Sequence, residues 1–153
     1  MKKINLILFI IAIAILISIT FNVYKEVKAI KNAKIEIYDV KVERLLPNIL
    51  LNLSMKIIND ENREINELKG NFEIYIINFS VGKIKFNKTD IPPHSFKNIT
   101  ILLTLYYNEI AKSIIYAIEK MAFKLSIKGN VEGKIFFGML NYETPVEASY
   151  QYF

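Results

Sequence analysis

The chain of 153 residues carries 20 Lys and Arg against 15 Asp and Glu, and 52% of its residues are hydrophobic. This length is typical of one domain, and so large an apolar fraction excludes a disordered chain, which has too few apolar side chains to bury. With no Cys and one His, the chain has no disulfide framework, no thiolate metal site and no thiol nucleophile.

The N-terminal segment is apolar enough to cross a membrane. Residues 4–24, between Lys3 and Lys25, carry no charge, and a helix of about 20 such residues spans the ~30 Å hydrocarbon core of a bilayer. A cleaved signal peptide is the competing interpretation, but its apolar stretch is normally ~7–15 residues long and ends in small residues. We therefore expect a single-pass transmembrane anchor in residues 1–24, with residues 4–24 in contact with the lipid bilayer.

The excess positive charge lies next to this segment. Residues 1–33 carry five Lys and one acidic residue, Glu26, whereas the other 120 residues are almost balanced. Lys beside an apolar span suits anionic lipid headgroups, while a nucleic-acid site would need a basic patch on the folded domain. The sequence thus predicts a Lys-rich connector in residues 25–33, a membrane partner and no nucleic-acid partner.

The orientation of the domain rests on a second pattern, because Lys residues flank the apolar segment almost equally on both sides and the bias that sets orientation is absent. Sequons for N-glycosylation have a use only outside the cytoplasm. Four occur where chance predicts about one, although an Asn-rich sequence can also scatter them freely; they begin at Asn52, Asn78, Asn87 and Asn98. We expect a protein of the cell membrane with an extracytoplasmic domain.

From residue 34 onward the apolar residues alternate as they do in β-strands. In the first strand the alternation of apolar positions shifts by one residue at Tyr38 and Asp39, which predicts a β-bulge. The clearest strand has one apolar face, formed by Ile49, Leu51, Leu53, Met55 and Ile57. Further strands are predicted near residues 72–76, 84–86, 96–107, 123–127 and 146–152. Turns, loops or strand breaks are predicted at 59–62, 81–83, 91–95, Gly129 and Gly133.

One helix is predicted among the strands. Asn108 is suited to cap its N-terminus, and Glu109 suits the first turn because the helix dipole favours an anion there. An apolar stripe follows at helical spacing, formed by Ile110, Ile114, Ala117, Ile118 and Met121. The pattern predicts a mainly β fold: an antiparallel β-sandwich in residues 34–153, fibronectin type III-like or immunoglobulin-like, with one α-helix packed on it or across one end.

Few side chains of the domain suggest chemistry. His94 and Ser95 are adjacent in a Pro-Pro loop, where a nucleophile and its base rarely reach each other, so His94 is interpreted as a solvated loop residue. Four acids could contact a calcium ion but lack the Gly-punctuated spacing of a calcium loop, which favours a solvated hairpin end: Asp60, Glu61, Glu64 and Glu67. The sequence predicts no catalytic residue, no metal site and no cofactor.

The C-terminal strand is rich in aromatic residues, namely Tyr142, Tyr150, Tyr152 and Phe153. Core packing and cross-strand pairing are the main interpretation of this run, because aromatic residues stabilise sheets in this way. A partner-binding face is the alternative.

Residues 34–153 resemble the late embryogenesis abundant group 2 family, whose domain is also called the water stress and hypersensitive response (WHy) domain. The shared features, in chain order, are a strand ending at Asn59 with Ile65 six residues later, the Gly82 turn, the Ile91-Pro92 loop with Ser95, the strand 99–105, the helix and the strand Ile127-Lys128-Gly129. The turn differs from the family pattern, in which Pro and Asn occupy the positions of Asp60 and Glu61.

The resemblance implies a non-enzymatic domain that protects against desiccation and other stress, similar to prokaryotic members of the family that carry an N-terminal membrane anchor. Its partners would be client proteins or cell-surface components, and the domain is expected to be a monomer. The alternative is a structural accessory protein that links a surface filament or surface layer to the membrane. A protector would act on many unrelated clients, whereas an accessory protein needs one specific partner.

Overall fold

The structure of the protein, a computed structural model, describes residues 2–152. This part of the chain forms two helices and seven strands. In chain order they are α1 (Lys2–Lys31), β1 (Lys34–Arg44), β2 (Ile49–Asn59), β3 (Ile65–Ile76), β4 (Phe79–Ile91), β5 (Ser95–Leu105), α2 (Lys112–Glu119), β6 (Phe123–Ile135) and β7 (Leu140–Tyr152).

The strands form two antiparallel sheets, one with the order β1-β2-β5 and the other with the order β4-β3-β6-β7. The edge strands β1 and β7 contact each other on one side, and β4 and β5 do so on the other. The sheets thus pack face to face around one core of apolar side chains. This arrangement confirms the predicted antiparallel sandwich with one helix among its strands.

Strand β2 runs through the centre of the three-stranded sheet, between β1 and β5. Its inward side chains are fully buried, and these are the residues that the alternation predicted: Ile49, Leu51, Leu53, Met55 and Ile57. The pairing of β1 with β2 shifts register between Ile37 and Asp39, which confirms the predicted bulge. Local alternation was sufficient here because one face of the strand is buried and the other is partly open to solvent.

The turn between β3 and β4 lies earlier than the sequence suggested. The chain reverses at Ile77 and Asn78, which have φ values of 49° and 67°, and β4 then continues through Gly82. Two residues with positive φ match the right-handed twist of a hairpin, but a β-branched residue rarely adopts that conformation. Because Ile is unusual at such a position, the sequence did not indicate a turn at Ile77. The predicted connection at residues 81–83 was wrong.

Gly129 and Gly133 do not interrupt β6, although the sequence suggested breaks at both. A Cβ atom at Gly129 would lie 2.0 Å from the backbone oxygen of Asn71 in β3. A Cβ atom at Gly133 would lie 2.6 Å from Cδ1 of Ile30 in α1. Each glycine therefore marks a close approach of another element to the strand.

Helix α2 begins at Lys112, four residues after the predicted cap at Asn108. Its first flanking residue, Ala111, makes no side-chain capping bond. The preceding segment is fixed by tertiary structure instead, because the hydroxyl of Tyr107 donates to the backbone oxygen of Leu45, 2.6 Å away. The predicted stripe is confirmed where it faces the core, at Ile114, Ala117 and Ile118.

Candidate functional site at the helix-proximal end

Helix α1 does not stop at the end of the uncharged segment. It continues through the predicted connector to Lys31, and Ala29 and Ile30 are buried in the core of the sandwich. Its N-terminal part is exposed, and it is long and apolar enough to cross a membrane. The segment that the sequence assigned to a connector is therefore a helical extension whose last turn is part of the folded domain.

Three loops lie at the end of the sandwich that receives α1. Because neighbouring strands run antiparallel, the loops β2–β3 (60–64), β4–β5 (92–94) and β6–β7 (136–139) all lie at the end where β1 begins. We call this end, formed by the three loops and the last turns of α1, the helix-proximal end. The opposite, distal end carries α2 and the turns β1–β2 and β3–β4.

Glu26 connects α1 to two of these loops. Its side chain is buried, with 7% of the residue exposed. One carboxylate oxygen accepts a hydrogen bond from Nη2 of Arg63, 3.2 Å away, and the other accepts one from the backbone N–H of Phe136, 2.7 Å away. Sequence reasoning missed this role, although Glu26 is the single acid among the Lys residues of 1–33. That isolation is the signal that could have revealed it.

Glu61 makes a second set of contacts with α1. Its carboxylate accepts a hydrogen bond from Nδ2 of Asn32, 2.7 Å away, and lies 3.2 Å from Nζ of Lys28. The hydrogen bond from Asn32, followed by that from Lys28, lowers the pKa of Glu61. In the same loop Asp60 lies 2.8 Å from Nζ of Lys34 and raises the pKa of that amine. The β2–β3 loop is thus bound to α1 and β1 by charge-assisted hydrogen bonds.

We expect the stability of the domain to fall when the pH drops through the folded-state pKa of Glu61. A lowered pKa means that folding favours the charged carboxylate, so the stabilisation is fully present above the unfolded-state pKa and is lost as the folded protein takes up the proton. Melting temperatures measured across the acid range should decline less steeply in Glu61→Gln than in the wild type. Glu64→Gln, at an exposed acid of the same loop, is the matched control and should keep the wild-type slope. Identical slopes for Glu61→Gln and wild type would contradict the expectation.

Asn59 joins two of the loops from within. It is buried at the end of β2, and its Nδ2 group lies within hydrogen-bond distance of the backbone oxygens of Arg63, Ile91 and Pro92, at 2.8, 3.2 and 3.1 Å. Its Oδ1 atom accepts a bond from the backbone N–H of Glu61, 3.1 Å away. This residue was predicted to begin a turn, and the structure shows that it is the buried polar centre of that turn.

His94 is exposed in the β4–β5 loop with φ of 49°, and its backbone N–H donates to the backbone oxygen of Glu61, 3.1 Å away. Ser95 is the first residue of β5 and pairs with Asn59 across the sheet. The ring of His94 borders an open groove of about 390 Å³. The groove is lined by Phe21, Tyr24, Lys25, Lys28, Asp60, Glu61, Asn62 and His94. The residues of α1 in this lining are therefore aromatic or basic.

The acids considered as calcium ligands are spread over separate contacts. Asp60 and Glu61 pair with bases as described above, Glu67 lies 3.0 Å from Nζ of Lys88, and Glu64 is exposed. Within residues 2–152, no group of three or more His, Cys, Asp or Glu side chains is placed to hold a metal ion.

The aromatic residues of β7 pack against the core from one face of the sheet. Tyr142, Tyr150 and Tyr152 are half-buried, and the ring of Tyr152 stacks on that of Phe123 with 5.1 Å between centroids. The predicted core and cross-strand role is thus confirmed for these three residues. Phe153 lies outside the described residues.

Comparison with known proteins gives the fold an independent reference. No protein-family model matches the chain, and neither does any curated protein. The solution structure of the protein AT1g01470 from Arabidopsis thaliana superposes with a TM-score of 0.61 at 10% identity, over 79% of this chain and 80% of that one. The two proteins share a fold. At this identity the likeness shows the fold alone.

Two further solved structures are more distant. A protein from Archaeoglobus fulgidus gives a TM-score of 0.41 at 13% identity, over 78% of this chain and 94% of that one. A candidate late embryogenesis abundant (LEA) protein gives a TM-score of 0.49 at 8% identity, over 98% of this chain and 86% of that one.

Proposed function

We propose that the chain is a non-enzymatic, membrane-anchored protein related to the late embryogenesis abundant group 2 family, and that its sandwich protects other molecules at the membrane surface under water stress. The observation that carries this proposal is the continuity of α1, which runs from an exposed apolar segment directly into the core at Ala29 and Ile30. Such a helix would expose a large apolar surface to water, a surface that lipid can cover. The domain is then held at a fixed distance from the bilayer.

The groups at the end of the apolar segment suit a membrane interface. Phe21 and Tyr24 lie in its last turn, and aromatic rings of this kind concentrate at the level of lipid headgroups. Nζ of Lys25 lies 4.5 Å from the centroid of the Phe21 ring, and Lys28 and Lys31 follow on the last turns of α1. Lys28 is paired with Glu61, and the amines of Lys25 and Lys31 would contact anionic headgroups while the rings stay at the interface.

Three sequons support a domain outside the cytoplasm. Asn78, Asn87 and Asn98 have exposed side chains on the sandwich, as a glycosylation acceptor requires. Asn52 is half-buried on the outer face of β2 and donates to a carboxylate oxygen of Glu43, 3.0 Å away. The exposed sequons therefore favour an extracytoplasmic domain, and Asn52 is the least accessible of the four.

The protective role rests on the sequence resemblance together with the role of Asn59. The family pattern places an Asn at the end of this strand, and here that Asn joins the backbone of the β2–β3 and β4–β5 loops through four hydrogen-bond contacts. Replacement of the next two family residues by Asp60 and Glu61 leaves this buried centre in place. One of the residues that carry the resemblance thus shapes the helix-proximal end.

A structural accessory protein is the second candidate, and the distal end favours it. Six apolar or aromatic side chains are exposed there, far from the membrane segment, where a surface filament or layer could contact them: Leu46, Ile77, Phe79, Tyr106, Tyr116 and Met121. A contiguous apolar patch of several hundred Å² marks a binding surface, so the accessory role requires these side chains to form one such patch. One specific partner at this end would distinguish the accessory role from protection of many clients.

Two experiments test the proposal. Protease treatment of intact cells should degrade the sandwich, and protection of the domain in intact but not in lysed cells would contradict the extracytoplasmic orientation. The fragment 25–153, which keeps Ala29 and Ile30, is then dried or freeze-thawed with two unrelated labile enzymes. Both should keep more activity than with an equal mass of an inert protein. Loss of activity in both, with one stoichiometric surface partner recovered from membranes, would support the accessory role instead.

His94→Ala is the control for the non-enzymatic part of the proposal. His94 is exposed, and its backbone N–H, which the variant keeps, donates to the backbone oxygen of Glu61, so the variant should keep both fold and protective activity. Loss of activity with an unchanged melting temperature would indicate chemistry at the imidazole and would contradict the proposal.

A further inference from the structure

The turn between β6 and β7 (136–139), together with the first residue of β7, has an unusual composition for an exposed segment, since these residues are Phe136, Phe137, Gly138, Met139 and Leu140. We call these five residues the apolar turn. We propose that the apolar turn inserts into the interface of the bilayer that α1 crosses, as a second membrane contact beside the helix. This inference rests on the proposed transmembrane role of α1.

The course of β6 directs the apolar turn toward the membrane segment. Gly133 lies against Ile30, and three residues later the backbone N–H of Phe136 binds the carboxylate of Glu26. Strand β6 therefore runs beside α1 in the opposite direction, back toward the N-terminal apolar part of the helix. Side chains of a helix also lean toward its N-terminus, so the carboxylate of Glu26 lies on the Val23 side of its own Cα atom. The residues after Phe136 thus reach the level of the last uncharged turn of α1.

Packing at Val23 gives a second indication of this depth. Val23 belongs to the uncharged segment 4–24, yet it is half-buried and packs against the core of the sandwich. If the helix crosses the bilayer with that segment, part of the helix-proximal end must lie at the level of the membrane interface. The side chains of the domain that face this level then meet lipid rather than water.

The exposed side chains of the apolar turn match such an environment. Phe137 is 70% exposed and Met139 is 66% exposed, and Leu140 beside them is also exposed. The other two loops at this end present charged residues at 60, 61, 63 and 64 and the segment Pro92-Pro93-His94. Only the β6–β7 loop of the three therefore offers large apolar groups, and it does so next to the helix.

The backbone conformation of the apolar turn does not favour the large apolar residues that occupy it. Phe136 and Phe137 have φ values of 52° and 57°, followed by Gly138 at 78°. Positive φ favours Gly, Asn or Asp, and bulky residues adopt it at a cost. Phe136 is half-buried and packs against the core of the sandwich, which offsets this cost at its position. Phe137 is exposed, and burial in the bilayer interface would supply the compensating interaction for its side chain. Contact at both α1 and the apolar turn would fix the tilt of the sandwich on the membrane.

Tryptophan fluorescence of the full chain in liposomes tests the proposal, because the chain has no Trp of its own. Phe137→Trp places a single probe in the apolar turn. We expect its emission to shift to shorter wavelength and to be strongly quenched by phospholipids brominated near the headgroup. Met139→Trp repeats the measurement at a neighbouring exposed site, in case the first variant does not fold.

Two further probes make the outcomes distinct. Tyr116→Trp, at a residue of α2 that is 63% exposed, reports the distal end and should show long-wavelength emission without quenching. Phe9→Trp, in the apolar segment of α1, should be quenched by lipids brominated deep in the acyl chains. One outcome would overturn the second contact: lipid quenches the emission of Phe9→Trp, but Phe137→Trp emits at long wavelength without quenching, as Tyr116→Trp does. The transmembrane role of α1 would stand in that case.

The remaining outcomes also decide the question. Without quenching at Phe9→Trp, the transmembrane role of α1 fails, and this inference fails with it. Short-wavelength emission at Phe137→Trp without lipid quenching would show that protein, such as a second copy of the chain, covers the apolar turn. That result would also overturn the proposal.

Discussion

Replacement of Met55 by Asp is expected to unfold the sandwich. Met55 is fully buried in the central strand β2, opposite Ile37 of β1 and Ile99 of β5. The change removes the packing of the Met side chain, which costs about 2–5 kcal/mol, and places an acid among apolar neighbours at a further cost of about 1–3 kcal/mol even when the acid is neutral. The sum, about 3–8 kcal/mol, reaches the lower part of the range of domain stabilities, about 5–15 kcal/mol.

Circular dichroism of the fragment 25–153 measures this effect as the loss of a cooperative thermal transition. Lys56→Asp is the matched control, because Lys56 is the next residue and faces outward. Its Nζ lies 4.5 Å from the centroid of the Phe96 ring, a contact of about 0.5–1 kcal/mol. Lys56 also lies opposite Glu36 of β1, so the variant replaces an opposite-charge pair of about 0.2–1 kcal/mol by a like-charge pair, and its total loss stays below that of Met55→Asp. If Met55→Asp melted close to the wild type, β2 could not be the central strand of the core.

Replacement of Gly129 by Ala is the second change for which we expect a large effect. The new Cβ atom would lie 2.0 Å from the backbone oxygen of Asn71 and 2.8 Å from Cα of Phe72. Both atoms belong to the backbone of β3, so no side-chain rotation relieves the overlap and the two central strands of the sheet must separate. Overpacking costs about 1–3 kcal/mol and occasionally more, and a contact with backbone belongs at the upper end of that range.

The melting temperature of the fragment 25–153 should fall by about 10 °C, since about 1 kcal/mol corresponds to roughly 4–8 °C in a domain of 60–100 residues and to roughly 2–4 °C in one of 150–250 residues. Gly82→Ala is the control in the edge strand β4, where the new Cβ atom would meet only the end of the flexible Leu103 side chain at 3.3 Å. That variant should melt within a few degrees of the wild type. Equal melting temperatures for the two variants would show that β3 and β6 do not approach so closely.

Much of the fold follows from local pattern. The apolar run 4–24 is read correctly as a helix of membrane-spanning length, and alternation identifies β2 and the bulge of β1. In each case the signal lies within a few neighbouring residues, because a helix or a strand with a buried face repeats its apolar positions at a fixed period. The stripe of α2 is recovered for the same reason.

The turn at Ile77 and the start of α2 required the tertiary structure. The φ of Ile77 contradicts the preference of a β-branched residue, and its backbone N–H donates to the oxygen of Lys124 in β6, 3.1 Å away. The late start of α2 follows from the bond between Tyr107 and Leu45, which are far apart in sequence. Asn108 has the local preference for a cap, but long-range contacts decide where the helix begins.

By itself the sequence determined the apolar N-terminal segment, the alternation that makes a sandwich and the balance of charge on the domain. Only the tertiary structure decided how helix and sandwich are joined. Glu26 gains its role from Arg63 and from the backbone of Phe136, and Gly133 gains its role from Ile30. These partners are separated by tens of residues and leave no periodic pattern. The physical reason is that burial and hydrogen bonding depend on which surfaces meet, whereas periodicity reports only which face of an element is apolar.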